Sequence, residues 1–179
     1  GAVTVTTTQG QITARRVVLA LPPRIAATLA FEPALPAGST AAMQGIVTWM
    51  AAQAKAIAVY DRPFWREAGL SGDAMSRHSP MSEVHDASPL GEGPAALFGF
   101  IGVPPAARRD EAALRLALIS QLTRLFGDQA AGPRTVILKD WAADPLTATP
   151  LDQATLSLHP QYGLPHALRG LWGGRLILS

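Results

Sequence analysis

Two side chains stand out for the chemistry they could do, Lys55 and Trp141. Of 15 basic residues only two are lysines, Lys55 and Lys139, so the position of each is informative. Lys55 sits in Ala54-Lys55-Ala56-Ile57-Ala58-Val59-Tyr60, a strand-like run that places it on one face with Ile57 and Val59. On a buried face the ammonium loses hydration, which favours the neutral amine and suits it to proton handling or to holding an active-site water. The same pattern fits an edge-strand lysine whose charge discourages pairing with another sheet. Trp141 follows Lys139-Asp140 at the end of a second strand-like run, beside a Pro-rich stretch. It could form an aromatic wall for a flat ligand, or fill a core.

Other candidates carry less. His78, His85, His159 and His166 show no zinc spacing on a helix and no obvious third ligand, so no metal is expected. His85-Asp86 with a serine could be drawn as a triad, but no Gly-x-Ser-x-Gly elbow accompanies it. His159-Pro160 and Tyr162-Gly163 lie in a loop-like stretch, where site residues and merely solvated polar residues are both at home. Neither Gly-x-Gly-x-x-Gly nor Gly-x-x-x-x-Gly-Lys-Ser/Thr occurs, and Gly170-Leu171-Trp172-Gly173-Gly174 has the wrong spacing. The chain by itself therefore shows no phosphate cradle for a nucleotide. A net charge of +2 on scattered arginines argues against nucleic acid as a partner. No apolar run reaches the length of a membrane span. The absence of cysteine excludes disulfides and thiolate chemistry and fits either redox environment, so the compartment stays open, with the cytoplasm of a bacterium as the expectation.

The frame that must position Lys55 and Trp141 reads as α+β. With 48% apolar and 16% charged residues, 179 residues can bury a core. Val3, Val5 and Thr7 alternate, Gln9-Gly10-Gln11 turns, and Ile12 to Arg16 returns, which predicts a hairpin. Val17 to Leu21 is a continuous apolar run that predicts a strand buried on both faces, ended by Pro22-Pro23. A short helix is expected from Arg24 to Leu29. Thr40 to Ala51 fits a helix or an extended segment alike. Strands are expected at 54–60, 83–85, 96–103 and 135–139, with a Gly/Pro turn from Pro89 to Pro94. The strongest helix runs from Asp110 to Phe126: Leu114, Leu118, Leu122, Leu125 and Phe126 form one stripe, Asp110 caps the start and Gly127 ends it. The fold class expected is α+β: a mixed, largely antiparallel sheet, one long amphipathic helix, and shorter helices.

Several of these segments, in order, resemble one family. "GQITARRVVLALPP" (10–23), "FEPALP" (31–36), "KAIAVYDRPFW" (55–65), "LFGFIG" (97–102), Lys139-Asp140-Trp141 through Pro145, Tyr162-Gly163 and "WGGRL" (172–176) together look like flavin amine oxidases, the group of monoamine oxidases, polyamine oxidases and L-amino-acid oxidases. The resemblance implies FAD as cofactor and hydride removal from an amine-bearing carbon, giving an imine, with oxygen reduced to peroxide. It implies that Lys55 holds a water bridging to the flavin N5 and that Trp141 lines both flavin and substrate. Pro22 is implied as a cofactor contact. Leu151 is implied as a substrate contact, where monoamine oxidases carry a tyrosine of their aromatic cage; Thr149-Pro150-Leu151 has no aromatic, which points to a different amine or amino acid. It further implies strands of the FAD-binding domain at 1–23, a substrate-binding domain at 24–170 and the start of the C-terminal FAD-binding segment at 171–179, in a longer protein whose missing FAD-binding domain is the partner. Two alternatives remain: a non-catalytic module of the same ancestry, or one chain of a proteolytically processed oxidase.

Overall fold

The computed structural model describes every residue except Ser79, Glu92, Thr155, Ser157 and Leu158. Along the chain run β1 (Val3–Thr7), β2 (Gly10–Ala14), β3 (Val17–Leu19), α1 (Pro23–Ala26), α2 (Ser39–Gly45), β4 (Ala54–Tyr60), α3 (Phe64–Glu67), β5 (Ala74–Met75), β6 (Met81–Asp86), β7 (Ala95–Ile101), α4 (Glu111–Phe126), β8 (Thr135–Asp140), α5 (Leu171–Gly174) and β9 (Leu176–Leu178). Contacts divide the chain into two compact units, one formed by 1–51 and 144–179, the other by 52–143. The fold is α+β with mixed sheets, as the sequence implies.

The second unit holds a five-stranded antiparallel sheet in the order β5-β6-β7-β4-β8. Strict alternation in β4 and β7 explains it: in each, every second residue is buried and the others are half-buried. The buried face of β4 is Ala54, Ala56, Ala58 and Tyr60, not the face that carries Lys55. Its small side chains let α4 approach closely, so Leu118 and Leu122 complete one core with Leu97, Ile101, Val84, Phe64 and Trp65. The helix begins and ends where its caps predict: the Asp110 carboxylate accepts from the Ala113 N–H, and Gly127 leaves the helix at φ 87°. Gln121 is buried on α4 and fully satisfied. Its amide donates to the carbonyls of His78 and Met81 and accepts from the Met81 N–H, fixing the start of β6 to the helix.

Asp86 ends β6 and anchors α3 to the sheet. It accepts from the Trp65 indole at 2.7 Å, the Arg66 guanidinium at 2.6 Å and the Ser88 N–H at 2.8 Å. Burial works to raise its carboxyl, but the bonds from Ser88, Trp65 and Arg66 outweigh it and pull it down to about 2. A carboxyl lowered by folding stabilises fully above its ordinary value of 3.8 and loses that contribution as pH falls toward about 2. We therefore expect unfolding free energy to drop by roughly 2 kcal/mol over that range from this group. Asp86→Asn should be less stable at neutral pH and should flatten this part of the acid limb. Urea unfolding measured across the acid range checks it; an unchanged limb in the variant removes Asp86 from the explanation.

In the first unit, β1 and β2 form the expected hairpin, with Thr7 opposite Gly10 and the turn at Thr8-Gln9. Strand β3 pairs in parallel with β9, Val17 opposite Leu176 and Leu19 opposite Leu178. Val18 is 58% exposed, so this run is not buried on both faces as the sequence predicts. The physical reason is that Val18 and Ile177 share a register row whose outer side no element of the unit covers. The unit's core joins Ala26, Met43, Leu168, Leu171, Leu176 and Leu178. The undecided stretch after Ser39 is helical only to Gly45.

Candidate functional site

The open face of the second unit's sheet carries the site. Register aligns Lys139, Lys55, Phe100 and Glu83 in one row across β8, β4, β7 and β6, and Ile137, Ile57, Phe98 and His85 in the next. Alternation places all eight on the face opposite α4. The face sets Ile57, Phe98 and Phe100 among charged and polar side chains, and it is open toward the edge strand β8, where Ile137 is 51% exposed.

Lys55 stands in the middle of this face among three rings. Its Nζ lies 4.6 Å from the Phe100 ring centre, 5.3 Å from Trp141 and 5.4 Å from Phe98. Each such contact contributes about 0.5–2 kcal/mol, depending on how far water is excluded. Among the described residues the ammonium has no carboxylate or hydrogen-bond partner. A central strand position with two paired neighbours also removes the edge-guard reading of this lysine. The rings hold the cation in place while leaving its N–H donors available to a water or a ligand.

Trp141 joins Lys55 because β8 ends beside the start of β4. The Trp141 N–H donates to the Gln53 carbonyl at 3.1 Å. Phe98 and Phe100, not singled out in the sequence, complete the aromatic enclosure, their rings 5.3 Å apart and edge to face. The alternation in Ala95–Ile101 puts them on one face, which was the available signal. His85 stacks on Phe98 at 5.8 Å, and its Nδ1 lies 3.1 Å from an Asp73 carboxylate oxygen. Among the described residues no serine bonds to His85, whose ring nitrogens face Asp73 and Glu83.

Pro22 and Leu151 belong to the first unit. Pro22 is half-buried at the head of α1, where its carbonyl accepts from the Ala26 N–H. The Leu151 side chain is 64% exposed while its carbonyl accepts from Arg24. Beside it, Asp152 is buried and accepts from Arg24 at 2.6 Å, from the Thr149 hydroxyl and from the Thr48 and Thr149 N–H groups. Burial acts to raise this carboxyl, and the bonds from Thr149, Arg24 and Thr48 more than reverse it, leaving it below the usual carboxylate range. The unit also has a cleft of about 620 Å³ lined by Ile46, Tyr162, Leu164, His166 and Arg169. His159 stacks on Tyr162 and meets Trp49 at a tilt of 49°, with ring centres 4.6 Å apart on each side. Among the described residues, no group of three His, Asp or Glu could hold a metal ion, and no helix is long and apolar enough to cross a membrane.

Comparison with known proteins bears on the whole chain. A family model described as flavin containing amine oxidoreductase matches residues 1–163. A Mycobacterium tuberculosis protein named as a flavin-containing monoamine oxidase, AofH, is 35% identical over 148 residues, covering 79% of this chain and 31% of that protein. The putrescine oxidase of Kocuria rosea is 32% identical over 158 residues, covering 81% of this chain and 30% of the enzyme. A solved putrescine oxidase with putrescine bound superposes with a TM-score of 0.73 at 24% identity, over 99% of this chain and 40% of that one, which shows the shared fold. The chain spans about a third of the length of the curated relatives it matches.

Proposed function

This chain belongs to the flavin-containing amine oxidoreductases, and from that premise we propose that it is the substrate-side portion of an FAD-dependent amine oxidase. The observation that carries the reading is the Lys55 ammonium, unpaired by any described carboxylate and enclosed by Phe98, Phe100 and Trp141 on the open face of the sheet. Three flat rings around a cation with free donors suit a flat ring system that accepts hydrogen bonds, with a water beside it. When bound, FAD supplies a hydride acceptor for the carbon bearing the amine and passes the electrons on to oxygen, releasing peroxide.

The chain's own residues bind, orient and exclude water. Lys55 holds a water through its free N–H donors. Trp141 and Phe100 give a flat ligand an apolar wall and keep bulk water away, which strengthens every electrostatic contact made there. Leu151 contributes an aliphatic contact to the substrate. The substrate is an amine or amino acid other than a simple arylalkylamine, because no aromatic stands at 149–151. Pro22, at the turn out of β3, contributes to the cofactor side. In this reading 1–23 and 171–179 belong with the FAD-binding part and 24–170 with the substrate part; the parallel pairing of β3 with β9, drawn from the two flanking segments, supports it. The parallel pair also suits a larger layered sheet, since parallel strands are ordinarily covered on both faces.

The test is to purify the full-length protein, record its visible spectrum and assay peroxide with a panel of aliphatic amines, diamines and amino acids. Bound flavin and amine-dependent peroxide are expected. A full-length protein with neither would leave a non-catalytic module of the same ancestry.

A further inference from the structure

Arg108 is buried on the short 3-10 turn Pro105–Arg108, yet it lies outside every motif of the family resemblance. Its guanidinium uses four hydrogen bonds. Nε and Nη2 grip the two oxygens of Asp140, each at 2.7 Å, Nη1 donates to the Val103 carbonyl at 2.6 Å, and Nη2 donates also to the Ala52 carbonyl at 2.7 Å. The same Asp140 carboxylate accepts from the Ala142 N–H at 3.0 Å, so it spans the backbone of Trp141. On the other side, the Trp141 N–H is bonded to the carbonyl of Gln53, next to Ala52. Both peptides of Trp141 are thereby tied to Ala52 and Gln53, the residues that lead into the strand carrying Lys55, through a closed set of bonds with Arg108 at its hub.

An apolar pair could replace the two charges themselves at little cost, because a buried ion pair gains little over well-packed hydrophobic side chains, but it would leave the Ala52 and Val103 carbonyls without their Arg108 donors. What an apolar pair could not do is hold the Ala142 N–H and fix the turn. We propose that Arg108 is a positioning residue: acting through Asp140, it sets the Trp141 ring against the Lys55 ammonium. This rests on the reading of Trp141 and Lys55 as the wall of the oxidase site. The planar fork is required, since only a bidentate donor fixes the carboxylate in both distance and angle.

The test uses the full-length protein labelled with 5-fluorotryptophan, with the Trp141 resonance assigned by Trp141→Phe. Arg108→Met combined with Asp140→Asn removes both charges and so leaves no orphaned ion. Arg108→Lys keeps the charge but loses the fork. In both, the Trp141 fluorine signal should shift or broaden while that of Trp65 stays put. Flavin reduction at saturating amine should slow about tenfold at unchanged flavin content. In a Trp141→Phe background the Arg108/Asp140 change should cost less than about twofold more, as expected for residues acting through one group. An unmoved Trp141 signal overturns the proposal, and so does a full additive loss in the Trp141→Phe background. A moved signal with an unchanged reduction rate upholds the positioning and instead counts against the role given to Trp141.

Discussion

Lys55→Met in the full-length protein should slow flavin reduction or reoxidation roughly a hundredfold, the scale of a positioned proton-handling group, with a melting temperature close to that of the parent. The prediction follows from the surroundings of the ammonium. Methionine is similar in length to the lysine stem and makes favourable contacts with aromatic rings, so Phe98, Phe100 and Trp141 keep a packing partner. No described carboxylate is orphaned by the change. What disappears is the cation and its donors. Stopped-flow reduction by amine and reoxidation by oxygen, set beside a thermal melt, separate the two contributions. A melting temperature many degrees lower, with the rate per folded molecule unchanged, makes Lys55 a structural residue.

The largest effect on stability is expected at Trp65. It is fully buried, with ring centres 5.0 Å from Phe64 and 5.8 Å from Tyr60, both edge to face. Its indole N–H donates to Asp86, and the chain passes so close that a Cβ at Gly72 would lie 2.8 Å from the indole nitrogen. Gly72 also has φ +85°, a conformation that glycine adopts without strain. Trp65→Ala should cost about 3–5 kcal/mol from lost burial and the cavity left behind. Trp65→Phe keeps much of the packing and removes only the charge-assisted hydrogen bond, for about 1.5–3 kcal/mol. Urea unfolding of the two variants checks both size and order. A loss below about 1 kcal/mol for Trp65→Ala would mean that the site collapses around the missing ring and that this cluster does not anchor α3.

Much of the frame is legible in the residues themselves. Alternation in 54–60 and 95–101 specifies strands with one buried face, and the leucine stripe with Asp110 and Gly127 specifies α4 almost to the residue. The ordered resemblance picks out Lys55 and Trp141, which the fold brings together. The rest depends on information that periodicity does not hold. Phe98 and Phe100 meet Lys55 only through the register of β7 against β4, a pairing between distant segments. Arg108 looks like any other arginine until the carbonyls of Ala52 and Val103 converge on it. The face of β4 that is buried is the alanine face, because small side chains admit α4, whereas hydropathy alone favours the face with Ile57 and Val59. An apolar run such as 17–21 specifies that a strand has two apolar faces but not what covers them, hence the exposure of Val18.

The most direct test is a structure of the full-length protein with its flavin, in which the distance from the Lys55 Nζ to the flavin N5 is measured. A gap spanned by one ordered water, with Trp141 beside the ring, is the expected result. An isoalloxazine bound elsewhere, with the Lys55 amine turned into bulk solvent, would contradict the assignment of this sheet face as the oxidase site.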